Sequence, residues 1–183
     1  MEPIMVNVFD VAEHVLARYG SASAIKLQKL VYYSQAWHLV ARGDRLFSEP
    51  IIAYQYGPLT TTLWEHHRGM KTVRAGHFGA LVEGHLEVGS VEVIDAVLDM
   101  YGPMSMTALV DRTHRERPWI DAQKSGAEIT PEDMRIFYSA ELAAGNPAPR
   151  LGATATAGIA NDEEHEEVVD DYSGFLNALR RDR

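Results

Sequence analysis

One stretch restricts the possible folds of this chain more than any other. Lys26 to Val40, KLQKLVYYSQAWHLV, gathers two tyrosines, a tryptophan, a histidine and several aliphatic residues into about four turns of helix. Projected on a helical wheel, Leu27, Leu30, Val31, Tyr33, Ser34, Trp37, His38, Val40 and Ala41 cover roughly half the circumference. A helix lying on a surface shows a narrower stripe, so this one is expected at the centre, contacted from several sides and stopped by Gly43.

The flanking sequence supplies elements to surround it. Asn7 caps a first helix whose Val8, Val11, Ala12, Val15, Leu16 and Tyr19 keep the i, i+3, i+4 spacing up to Gly20. Ile51–Tyr56 reads as a strand broken by Gly57-Pro58, and Ala80–Val88 as a second, weaker strand. TTTLWEHHRG predicts a helix ending near Gly69, and Val91, Ile94, Val97, Leu98 and Tyr101 predict another, stopped by Gly102-Pro103. Ser105 opens a helix with Met106, Leu109 and Val110. Thr130, Pro131 and Asp133 form a start signal for a last helix through Ile136, Phe137 and Leu142. The expected class is mainly α (α+β), a compact helical domain around a central buried helix with a small antiparallel sheet.

Residues 1–144 are assigned to this helical domain. Residues 145–160, rich in Gly, Pro, Ala and Thr, read as a flexible linker. Residues 161–183 form an acidic tail, with seven acids in the eleven residues NDEEHEEVVDD. The first 144 residues carry 13 basic and 18 acidic groups, the last 39 carry 4 and 8, so the tail is much more acidic per residue. Its end, YSGFLNALRRDR, spaces Tyr172, Phe175, Leu176 and Leu179 as one face of a short amphipathic helix. An isolated helix needs about 12–15 residues in water, so this piece is expected to fold only against something else.

Charge and composition narrow the function classes. A chain of net charge −9 has too few cations to neutralise a phosphate backbone, which argues against direct nucleic-acid binding and favours a basic protein partner. No run of 18 apolar residues and no basic-then-apolar N-terminus occur, so neither a membrane span nor a secretory signal is expected. With no cysteine, a cytoplasmic location is expected.

The search for chemistry finds no catalytic constellation. His66, His67, His77 and His85 share a region but lack metal-ligand spacing, and solvated histidines are the simpler reading. No nucleophile elbow and no glycine-rich phosphate loop are present. Two clusters stand out. Trp37 lies on the apolar stripe with His38 at its edge near Ser34, which suggests a half-buried histidine hydrogen-bonded within the fold. In Thr113–Trp119, THRERPW, Pro118 is expected to end the preceding helix and pin Trp119 at a corner, with His114 on the last helical turn. The rim of that corner is a candidate recognition site.

At these residues the chain resembles a known family. KLQKLVYYSQAWHLVARGDRLFSEPIIAYQYGPL and LVDRTHRERPWIDAQKSGAEITPEDMRIFY are similar to the two signature blocks of the Panacea domain, the SocA-type antitoxin family. The likeness covers about Val6 to Tyr138. Phe137-Tyr138 stand in reversed order relative to the family pattern. The motif residues carried over are Lys26, Gln28, Leu30, Trp37, His38, Gly57, Pro58, Thr113, His114, Pro118 and Trp119, in structural roles.

The resemblance implies a mainly helical fold with a small sheet and an antitoxin of a type II toxin–antitoxin system. It implies no catalytic residues and no cofactor or metal. Relatives neutralise unrelated toxins, some resembling small alarmone synthetases that block translation, and one acts as an adaptor delivering its toxin to the ClpXP protease. The expected partner is a cognate protein toxin held by direct contact, the alternative being delivery to a ClpXP-type protease, with an uncharacterised enzyme as the third and least favoured reading. Neither nucleic acid nor membrane is expected as a partner. In the tail, Asp170 and Asp171 with the anchors Tyr172, Phe175, Leu176 and Leu179 are the candidate partner-binding residues.

Overall fold

The computed structural model describes residues 6–81, 84–125 and 127–150. The candidate partner-binding residues of the acidic tail and its terminal helix, Asp170 to Leu179 included, lie outside the described residues. Seven helices and two small antiparallel sheets make up the described chain, in agreement with the expected class.

The first helix, α1 (Val8–Tyr19), starts where its cap predicts. Asn7 Oδ1 accepts from the backbone N–H groups of Phe9 and Asp10, and the Asp10 carboxylate accepts from the Asn7 N–H in return. That reciprocal capping box satisfies donors the first turn would otherwise leave open. Gly20, at φ 73°, ends the helix in a conformation few other residues tolerate. A three-residue strand, β1 (Ser21–Ser23), follows.

The second helix, α2 (Ala24–Arg42), is the axis of the fold. Every residue from Ala24 to Leu39 is buried, so the expected half-circumference of contact is in fact the whole circumference. The polar residues of α2 reconcile that burial with their chemistry by binding loops. Gln28 accepts at Oε1 from the Thr60 N–H at 3.0 Å and hydroxyl at 3.2 Å. Gln35 accepts from the Leu46 N–H at 2.7 Å and donates to the Phe47 carbonyl at 2.9 Å. Each such bond adds only about 1 kcal/mol net, but an unmet buried partner costs more. The polar stripe therefore fixes loops to the core rather than weakening it.

After a turn at Gly43 the chain forms a hairpin, β2 (Ile51–Tyr54) with β3 (Gly57–Thr60), in the register Ile51↔Thr60 to Tyr54↔Gly57. Gly57-Pro58 thus belongs to the second strand and does not merely break the first, as its two-residue connection Gln55-Tyr56 completes the reversal. The short helix α3 (Thr61–His67) leads to β4 (Thr72–Arg74), which pairs with β1 from Ser21↔Arg74 to Ser23↔Thr72. The strand expected over Ala80–Val88 is not formed by its described residues. Gly84 turns the chain at φ 84°, His85 bonds Asp10 at 3.2 Å, and Val88 already opens α4 (Val88–Tyr101).

The remaining helices are α5 (Met106–Thr113), α6 (Arg117–Ser125) and α7 (Pro131–Ala143). Ser105 caps α5 and Thr130 caps α7, as their patterns predict. Pro118 does not end α5. That helix stops at Thr113, and Pro118 occupies the first turn of α6, where its missing N–H leaves no helical bond unmade. On α7 the buried residues are Met134 and Tyr138, whereas Ile136 is 57% exposed and Leu142 is also exposed. Beyond α7, Ala148 packs against the core and Pro149 is buried. No single helix among the described residues is long and apolar enough to cross a membrane.

Candidate functional site

Two groups of ionisable side chains are buried against α2, and they differ in how their charge is met. The first surrounds Glu116, which is 7% exposed. Its Oε2 accepts from the Tyr138 hydroxyl at 2.6 Å and the Tyr33 hydroxyl at 3.1 Å. Arg112 Nε lies 3.3 Å from Oε1, close enough to offset the charge although not aligned as a hydrogen bond. Tyr33 stacks on Tyr101 at 3.9 Å, and the Trp37 indole donates to the Tyr101 hydroxyl at 2.9 Å. Burial raises the Glu116 carboxyl above its ordinary range, opposed by the Tyr138 bond and the Arg112 charge. Burial likewise pushes Tyr101 up to about 12, so its hydroxyl stays neutral.

The second group sits where three separated motifs meet. Lys29, one turn beyond Lys26 in KLQKL, is 2% exposed, and its ammonium donates to the Pro58 carbonyl at 2.9 Å. Gly57, at φ 95°, lies directly against it. A Cβ there would come within 2.6 Å of both Lys29 Cε and Thr113 Oγ1. The Thr113 hydroxyl donates to the Val110 carbonyl at 2.9 Å, so it is committed to its own helix. His114 stacks on Trp119 at 4.0 Å, and the Trp119 indole donates to the Tyr54 carbonyl at 2.8 Å. The structure therefore brings together Gly57, Pro58, Thr113, His114 and Trp119, with Pro118 in the adjoining first turn of α6.

The electrostatics of this corner are unusual for a protein interior. Desolvation lowers the Lys29 amine to about 7, and no carboxylate pairs with it among the described residues. His114 is also depressed, first by burial and then by the Lys29 charge, with a hydrogen bond to the Gln55 backbone opposing. Its Nε2 is buried without a hydrogen-bond partner. Such a pair of bases can bind an anion or hold a proton near neutrality, while the neighbouring threonine is not free to act as a nucleophile.

The other motif residues lie elsewhere. Leu30 and Trp37 belong to the main core. His38 is fully buried, not half-buried, and bonds the Asp44 carbonyl at 2.9 Å and the Ser90 hydroxyl at 3.0 Å instead of Ser34. The Gln28 amide nitrogen donates to His67 Nε2 at 3.0 Å, which sets that ring nitrogen as the acceptor. His67 is thus a core residue, not a solvated one, and burial lowers it to about 4. Among the described residues no three His, Asp or Glu side chains gather as a metal ion would require.

Sequence reasoning missed Lys29 and Glu116. A signal for Lys29 was available: a helix with no outward face must bury its lysines too. Glu116 gives no such signal, because it sits in THRERPW among charged residues that are mostly exposed.

Comparison with known families matches residues 27–120 to the family described as "Antitoxin SocA-like, Panacea domain". Comparison with curated proteins and with solved structures gave no match. The matched span contains α2, the hairpin, Glu116 and the whole Lys29 corner. On that match over more than half its length, the chain belongs to the SocA-like antitoxin family and carries its Panacea domain.

Proposed function

We propose that this protein neutralises a cognate toxin by holding it in a direct protein–protein complex. The observation that carries the reading is the family match over residues 27–120, which supports an antitoxin role in general terms. The burial pattern agrees with it. The aromatic residues of the signature stretch serve packing, and Glu116 is satisfied by tyrosines rather than exposed to a substrate. A non-enzymatic role is also what the family suggests.

The toxin class favoured by the family resemblance is a translation inhibitor of the alarmone-synthetase type. A toxin acting on nucleotides or RNA presents a basic active site, and the acidic segment Asp162–Asp171 complements that charge. Tyr172, Phe175, Leu176 and Leu179 then act as apolar anchors beside Asp170 and Asp171.

The test compares the full chain with one ending at Arg150, a boundary chosen because Ala148 and Pro149 still pack on the domain. The toxin probe is the purified product of the reading frame next to this gene, assayed without any protease. Inhibition by the full chain and loss of inhibition on truncation is the expected result. Full inhibition by the shortened chain moves the contact to the globular surface. No inhibition by either, with inhibition restored when a ClpXP-type protease is added, replaces direct neutralisation by delivery to that protease.

A further inference from the structure

The corner at Lys29 carries more than packing. A crevice opens beside it, lined by Ala24, Ile25, Lys29, Tyr56, Gly57 and His67, among others, with a volume of about 10 Å³. That is about the space of one water-sized atom, too little for a small-molecule ligand. Ala24 and Ile25 are the first two residues of the 19-residue helix α2, whose N-terminal end carries partial positive charge. Lys29, nearly inaccessible to solvent, lines the same wall and adds a positive charge when protonated. Lysine here has only a neutral carbonyl as acceptor, where a methionine would fill the same space without the desolvation penalty. A buried lysine and a helix N-terminus line a one-atom opening that contains no acid.

Resting on the reading of the protein as a toxin-binding antitoxin, we propose that this crevice receives an acidic side chain of the toxin, one carboxylate oxygen entering beside the Lys29 ammonium. Hydrogen bonding to the incoming carboxylate favours the charged amine, so the complex takes up a proton that the free protein holds only in part. The ionisable groups around Lys29 are Lys26 on its own helix, His67 of α3, Tyr56 of the hairpin, and His114 of α5 with Asp111 beside it. His67 and His114 are both depressed below the ordinary histidine range, and the K29M variant separates uptake at either of them from uptake at Lys29.

The test is calorimetric titration of the full chain with the purified product of the adjacent reading frame, from pH 6.5 to 8.5, in buffers of differing ionisation enthalpy. Proton uptake on binding is expected, with affinity falling roughly tenfold or more across that range. The K29M variant is expected to keep its melting temperature, bind at least about tenfold more weakly at pH 6.5, and lose the pH dependence. A folded K29M that binds like the wild type at every pH overturns the proposal. Should K29M not fold, the wild-type proton count decides, and a count of zero overturns it. In a third arm, the acids of residues 162–171 are replaced by their amides in the full chain. If the amide variant still binds but without proton uptake, the carboxylate comes from the protein's own tail and the proposal is overturned. Absence of any binding by the wild-type chain instead overturns the antitoxin reading on which this one rests.

Discussion

The Glu116 cluster and the Lys29 corner both bury a charge against the same helix, yet they treat it in opposite ways. Glu116 is met by two tyrosine hydroxyls and an arginine, Tyr33 from α2 itself and Arg112 and Tyr138 from α5 and α7, which pack on it. Lys29 is met by a carbonyl alone and faces a second base. A buried charge with a full set of partners holds elements together, whereas one without a counter-charge costs stability that packing elsewhere must offset. The comparison separates architecture from a place reserved for something else.

The largest expected effect tests how tightly the corner is built. G57A forces a Cβ onto Lys29 and Thr113 and imposes a strained φ, and is expected to cost about 4 kcal/mol in a urea unfolding series. A cost under about 1 kcal/mol means the corner is loose and Lys29 is not confined. Next comes E116A, which strands two buried hydroxyls and Arg112, with an expected loss of about 3 kcal/mol. A neutral result there removes the architectural half of the contrast.

Acid separates the regions by sign. His67 is held near 4 against 6.5 in the unfolded chain, so its contribution is present above pH 6.5 and lost as pH falls toward 4, up to about 3 kcal/mol. Glu116 is raised, so its contribution is present below its unfolded value of 4.5 and lost as pH rises through the folded one. Urea midpoints from pH 4 to 7 are expected to flatten in H67Q and steepen in E116A. The reverse pattern would contradict the burial assigned to both.

The smallest effect is also the most pointed. K29M removes a desolvated ammonium and one hydrogen bond, and is expected to leave stability at pH 7 unchanged or raise it by about 1 kcal/mol. The Lys29 contribution is fully present only above pH 10.5 and is lost as pH falls toward 7, so the advantage of K29M shrinks in alkali. A clear loss of stability at pH 7 would make Lys29 as structural as Glu116.

Much of the fold is legible in the sequence because local chemistry dictates it. Asn7, Ser105 and Thr130 each start the helix their side chains cap, and Gly20 and Gly43 stop theirs. The pairing of β1 with β4 is not legible, since three residues such as Ser21–Ser23 or Thr72–Arg74 are too few to show a period. Ala80–Val88 has apolar residues suited to a strand, but the glycine at 84 and the bond from His85 to Asp10 direct it otherwise. In the candidate site, Gly57, Pro58, His114 and Trp119 stand out as motif residues, yet their convergence on Lys29 depends on contacts across the sequence. Periodicity reports which face a residue occupies, not which distant backbone will close over it.

The complete enclosure of α2 bears on where such a protein can vary. From Ala24 to Leu39 every residue is buried, so most substitutions along that axis are felt first in the packing of the interior. Adaptation is then confined to the periphery, where residues such as Ile136 and Leu142 can be exchanged without disturbing the interior. A buried hub with an exchangeable rim lets the outer surface vary while the interior stays fixed.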